Sequence, residues 1–205
     1  GHWRILWPEQ VINMTQRGLS QSITAMIAEP RWYQGVKAVK LQRQASKAQL
    51  EFVKHLKKIQ KDYDFKIIYE VDDVVFREEI PDYNKFKFAF DTDEVRESVV
   101  SIMDLCDEIT LTCDFMRKLF QSKLTNQNVT VIPNFVPYNW MGYLFNQKRV
   151  QTAFEKHKGK PRILYTGSGA HYDVANKTGG KDDMSAVNHI IRKTADKYKW
   201  VFVGA

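Results

Sequence analysis

Disulfide frameworks, metal cages and membrane spans all lack their raw material in this chain. Only two cysteines, Cys106 and Cys113, occur among its 205 residues. That is too few for a disulfide scaffold and, without many other ligands, too few for a zinc site. They are expected to be reduced, partly buried thiols of a cytoplasmic protein. No apolar run approaches the roughly 18–20 residues that a membrane span requires. No stretch reads as a secretory signal, so the Asn-x-Ser/Thr matches at Asn13, Asn128 and Asn176 are taken as chance. Internal repeats and low-complexity tracts are also missing.

What is present suits a folded α/β protein. Hydrophobic residues make up 43% of the chain and aromatic residues 13%, enough to fill a substantial core and to exclude disorder. The length allows one large domain or one and a half ordinary ones. With 31 Lys and Arg against 24 Asp and Glu, the net charge is +7, which permits a polyanionic partner without requiring one. Lys47, Lys54, Lys57, Lys58 and Lys61 share a presumed helix and read as a solvated face.

Short apolar runs punctuate the chain: Arg4 to Trp7, Val36 to Leu41, Lys66 to Val71, Ile109 to Thr112, Val129 to Ile132 and Arg162 to Tyr165. Each ends on small or polar residues. Helical spacing fills the intervals, with Leu19, Ile23, Met26 and Ile27 on one face, then Phe52, Leu56, Ile59 and Tyr63, then Val95, Val99, Ile102 and Cys106. Ser46 with Gln49 fits a capping box, and Asp114 is expected to cap the helix carrying Phe115, Leu119 and Phe120. Alternation of strand and helix predicts βαβ units and a mostly parallel sheet, with Lys66 to Val71 as a fully apolar central strand. The aromatic segment Asp82 to Phe90 breaks the rhythm, either as a packed excursion or as a loop over the site. Pro133 and Pro137 stop one strand, and a helix is expected between Trp140 and Lys156. Alternation then restarts, with a helix carrying Val187, Ile190, Ile191 and Tyr198 and a strand from Trp200 to Val203. The expected organisation is a Rossmann-like domain over residues 1–138, a linker helix over 139–161 and an incomplete second domain over 162–205.

Four blocks carry a family resemblance. They are Lys66-Ile-Ile-Tyr-Glu-Val-Asp-Asp-Val-Val-Phe76, Cys106-Asp-Glu-Ile-Thr-Leu-Thr-Cys-Asp-Phe-Met116, Asn128-Val-Thr-Val-Ile-Pro-Asn-Phe-Val-Pro137 and Arg162-Ile-Leu-Tyr-Thr-Gly-Ser-Gly169. In this order the chain resembles the retaining GT-B glycosyltransferases of the family 4-like type, and within them those of T4-like bacteriophages, which tend to act on modified bases in phage DNA. The resemblance implies a Rossmann-like, parallel-sheet N-terminal domain, followed by the beginning of a second, truncated one. It implies sugar transfer from a nucleoside diphosphate sugar to a hydroxyl, with duplex DNA carrying hydroxymethylated cytosine as the expected acceptor and no obligatory metal. Two departures stand out. Trp7-Pro8-Glu9-Gln10 occupies the place of the family's glycine-rich turn. The family's donor motif with two glutamates would lie beyond Ala205, so this chain alone is expected to be weakly active or inactive.

The candidate site residues follow. Gly167, Ser168 and Gly169 suit a tight turn whose backbone N–H groups approach phosphate, with His171 and Lys181 nearby; an ordinary βα turn accounts for the same glycines. A nicotinamide site is disfavoured because the turn lacks a third glycine. Asp72 and Asp73 could bind a metal, orient or deprotonate the acceptor hydroxyl, or cap the next segment. Asp73 is the better catalytic candidate, since adjacent residues diverge in direction. Asn13, Arg17, Arg43 and Asn134 complete the acceptor side, with surface salt bridges and hinge bracing as their alternative roles. Trp140, Tyr143, Phe145, Lys148 and Arg149 would suit base stacking or linker packing. A non-catalytic nucleic-acid-binding or scaffold protein is the competing class.

Overall fold

The computed structural model describes residues 2–15, 20–21, 23, 25–84, 86–134, 148, 151–152, 155, 160–166 and 183–203. The chain divides into two compact units, Gly1–Phe76 with Phe90–Pro137, and Arg77–Ala89 with Tyr138–Ala205. No described helix is long and apolar enough to cross a membrane.

The first unit is built on a four-stranded parallel sheet, β1 (Ala38–Gln42), β2 (Lys66–Glu70), β3 (Glu108–Leu111) and β4 (Val129–Val131), paired in chain order. Helices α2 (Lys47–Tyr63), α3 (Asp93–Leu105) and α4 (Asp114–Lys123) connect successive strands. Every connection steps to the next neighbour in one direction. Right-handed crossovers of that kind deliver their helices to one face of the sheet.

The register explains which face. One row of partners across the strands reads Leu41, Tyr69, Ile109 and Val129, and the next reads Gln42, Glu70, Thr110 and Thr130. Because side chains alternate along a strand, these rows lie on opposite faces, one apolar and one polar. The apolar face meets the helices. Val53, Leu56 and Ile59 of α2, Val99, Ile102 and Met103 of α3, and Met116 and Phe120 of α4 are all buried. Each fully buried aliphatic side chain contributes about 1.5–3 kcal/mol. The expectation that Lys66 to Val71 is apolar on both sides is thus corrected: Glu70 holds the second face.

Local signals set the helix ends. Ser46 and Gln49 form the reciprocal capping box at the start of α2, and Asp64 ends that helix with a left-handed φ of 48°. Thr92 caps α3 through its side chain. In α4 the cap is Cys113 rather than Asp114, which sits one residue inside, in the first turn, where a carboxylate still favours the helix dipole. Met116 and Phe120 are the residues α4 buries, and Phe115 is exposed.

Two expected elements differ. Residues Arg4 to Trp7 are not a strand: a π-helical turn, His2–Leu6, runs into α1 (Trp7–Thr15). Pro8 and Glu9 in the first turn of α1 are helix-opening residues, and a four-residue apolar run cannot by itself specify a strand. Of the helix expected through Leu19, Ile23, Met26 and Ile27, Leu19 lies outside the described residues, and described residues 20, 21, 23 and 25–29 are irregular until a 3-10 turn at Pro30–Tyr33.

In the second unit, β5 (Arg162–Thr166) and β6 (Lys199–Val203) form a two-stranded parallel sheet connected through α5 (Asp183–Thr194). Tyr198 lies after α5, not on it. Of the helix expected between Trp140 and Lys156, residues 148, 151, 152 and 155 are helical, and its aromatic and basic candidates Trp140, Tyr143, Phe145 and Arg149 lie outside the described residues. The Asp82 to Phe90 segment contains a turn and a short 3-10 helix, Lys87–Phe90, with Lys87 paired to Asp82 at 2.7 Å.

At the amino end of the sheet, Asp107 locks α2 to β2 and β3. Its carboxylate accepts from the Ile67 backbone N–H at 2.7 Å, from Lys57 at 2.9 Å and from the Gln60 amide. Partial burial pushes its pKa up, but these donors outweigh it and hold the carboxyl below the ordinary aspartate value. A depressed carboxyl contributes stability in full above its unfolded value and loses it as pH falls through the folded one. Asp107→Asn is therefore expected to cost about 1–3 kcal/mol at neutral pH. It should also flatten the acid limb of the stability curve below pH ~4, as checked by urea unfolding across pH; an unchanged acid limb would remove Asp107 as its source.

Candidate functional site

In open parallel sheets ligands bind outside the carboxyl ends of the strands, and the first unit gathers its polar residues there. Arg43 follows β1, Asp72 and Asp73 follow β2, and Asn134 follows β4. Arg43 adopts a left-handed φ of 50°, a conformation that costs a non-glycine residue about 1 kcal/mol or more. Its backbone N–H donates to the Glu70 carbonyl at 3.0 Å and its guanidinium donates to Asp73 at 3.0 Å. The turn after β1 is thus tied to the turn after β2. Asp73 is 61% exposed and Asp72 half-buried, so only one of the adjacent pair is engaged by Arg43.

The most buried chemistry at this end belongs to residues that motif reading passed over. Glu70 is fully buried on the polar face. Its carboxylate accepts from Arg4 Nε at 2.6 Å, from Lys40 Nζ at 2.9 Å and from Thr110 Oγ1 at 2.5 Å. Arg4 Nη1 donates to the Ile132 carbonyl and, at 3.4 Å, to Asn134 Oδ1. Lys40 also donates to the Arg4 carbonyl at 2.9 Å. One carboxylate therefore joins β1, β2, β3, the end of β4 and the N-terminal segment. A lone acid inside an apolar run was the signal in the sequence, since a buried Glu demands partners.

The predicted residues divide accordingly. Arg43 and Asp73 are in direct contact, Asp72 adjoins them, and Asn134 belongs to the Arg4 cluster. Asn13 stands elsewhere: it lies in α1, and its amide exchanges two hydrogen bonds with the Ser20 backbone, at 2.8 and 3.0 Å. It sits on a helix and not after a strand because Arg4 to Trp7 is helical. Arg17, Gly167, Ser168, Gly169, His171 and Lys181 lie outside the described residues. Among the described residues, no three His, Cys, Asp or Glu side chains gather so as to hold a metal ion.

Next to the sheet, Cys106 is buried and Cys113 exposed. Burial, reinforced by the Asp107 charge, pushes the Cys106 thiol up to about 12, leaving almost no thiolate at neutral pH. Iodoacetamide at pH 8 is expected to label Cys113 and spare Cys106 until denaturant is added. Peptide mass mapping reads the outcome, and equal labelling of both would contradict the burial.

The exposed Arg43–Asp73 pair should add less than about 1 kcal/mol to stability. Asp73→Asn is thus expected to leave the thermal midpoint nearly unchanged, and a large drop would make the pair structural. No protein family, curated protein or solved structure matches this chain, so a reading of this site rests on its own geometry and on the sequence motifs.

Proposed function

We propose that this chain is part of a glycosyltransferase of the GT-B type, moving a sugar from a nucleoside diphosphate sugar to a hydroxyl, with hydroxymethylated cytosine in phage DNA as the acceptor. The observation that supports the reading is the set of Arg43, Asp72, Asp73 and Asn134 at the carboxyl ends of a parallel sheet, taken with the resemblance of the sequence blocks to that family. Asp73 is the exposed carboxylate that orients the acceptor hydroxyl and takes its proton, with Arg43 fixing its position at 3.0 Å. Arg43 supplies positive charge for a phosphate of the acceptor strand. On the donor side the reading uses Gly167, Ser168, Gly169, His171 and Lys181 for the diphosphate and sugar, on sequence grounds alone.

The net charge of +7 favours a second reading, a nucleic-acid-binding or scaffold protein without catalysis. The lysines of α2 weaken it, because Lys47, Lys54 and Lys57 pair with Glu94, Glu51 and Asp107. Such pairing describes a charge-balanced face more than a phosphate track.

The test, on a protein that contains this chain together with the family's donor motif, is transfer from UDP-glucose, and from other nucleoside diphosphate sugars, to hydroxymethylated against unmodified duplex DNA, with donor binding followed by titration calorimetry. Donor binding with transfer to the modified duplex supports the enzyme, and Asp73→Asn is then expected to lower kcat by a factor of about 10²–10⁴. Duplex binding with a steep salt dependence and no affinity for any nucleotide-sugar would replace it with the second reading.

A further inference from the structure

Residues 4–15 form a segment in which Arg4 alone among the described side chains is buried. None of the residues of α1 is buried, and Leu6, Val11, Ile12 and Met14 are exposed; Trp7 and Glu9 make further contacts from half-buried positions. The segment is therefore not seated by an apolar face, as a core helix would be. Its buried anchor is a guanidinium lying on the polar row of the sheet, against Glu70, the Ile132 carbonyl and Asn134.

Two features make that anchor reversible. Glu70 has two cationic partners, Arg4 and Lys40, where one neutralises it. If Arg4 leaves, Lys40 remains paired and the buried cluster of Glu70 with its two cations goes from an excess of one positive charge to balance. The anchor is also incomplete. Among the described residues, Arg4 Nη2 is buried with no hydrogen-bond partner, a deficit that water removes on release.

We propose that the N-terminal segment, residues 2–15, is a releasable strap, pinned across the carboxyl end of β2, β3 and β4 by Arg4, and that its release uncovers Glu70 and frees the Asn134 amide oxygen. The seated Arg4 covers Glu70 and engages Asn134 at the end of the sheet where an open parallel sheet takes a ligand, while Arg43 and Asp73 beside them stay exposed. Strap seating and occupation of that end then compete, which makes the segment a gate. This inference stands on the ion-pair geometry and holds whether or not the ligand is a sugar nucleotide.

Hydrogen exchange on the full chain tests it, because local opening is read separately from global unfolding. Arg4→Gln is expected to speed exchange of amides in residues 7–15 by tenfold or more, with amides of residues 99–111 unchanged, and Glu70→Gln to speed exchange in residues 7–15 likewise. Arg4→Lys should restore part of the protection. Carbodiimide labelling supplies a second readout: Glu70, inaccessible in the wild type, should label in Arg4→Gln. Wild-type exchange in residues 7–15 of Arg4→Gln would overturn the proposal. So would accelerated exchange throughout residues 99–111, since Arg4 would then belong to the core and not to a strap.

Discussion

The structure of the first unit depends on a sheet with two unlike faces. The row Leu41, Tyr69, Ile109 and Val129 is apolar and the row Gln42, Glu70, Thr110 and Thr130 is polar. Burial of the first row drives three helices onto one side, through the hydrophobic effect. The second row has to be satisfied by hydrogen bonds and ion pairs, because a carboxylate withdrawn from water is tolerated only with partners. Glu70 is the point at which this requirement is concentrated. Thr110 and Lys40 answer it from the neighbouring strands, and Arg4 answers it from a distant part of the chain.

That arrangement also separates roles at the two ends of the sheet. At the amino end, Asp107 receives a backbone N–H and two side chains from α2, joining helix to sheet. At the carboxyl end the groups are a mixture of satisfied and exposed ones. Glu70 is closed off, while Asp73 and Arg43 remain open to solvent beside a left-handed residue. Rigid support beneath, exposed charge and backbone strain above, is the distribution expected of a binding rim on a fixed scaffold.

Much of this was legible in the residues. Helices α2 to α5 and strands β1 to β6 announced themselves through periodicity and β-branched runs, although Phe115 and Ile190, read as apolar-face residues, are exposed, and the Ser46–Gln49 capping box fixed one helix start to the residue. That Arg43 and Asp73 stand at strand ends was legible, whereas the contact between their turns is known from the pairing of β1 with β2 in the structure. What the residues hid was conformation decided by tertiary contact. Arg4 to Trp7 has the composition of a strand, yet Pro8 and Glu9 begin a helix there and Arg4 is committed to Glu70. Asn13 moved away from the sheet end with that helix. Glu70 was visible as an acid in an apolar run, but its partners lie 40 and 66 residues away for Thr110 and Arg4. No local pattern reports pairing at such range.

Strand pairing that never skips a neighbour has a kinetic corollary. Each βαβ step closes a modest loop, so the sheet can grow in the order in which the ribosome delivers it. Arg4 is the exception. The Ile132 carbonyl that Arg4 grips is 128 residues downstream, and at about 5–20 residues per second it appears roughly 6–25 s after Arg4 does. Arg4 can therefore take its place only after the strands it grips have been made.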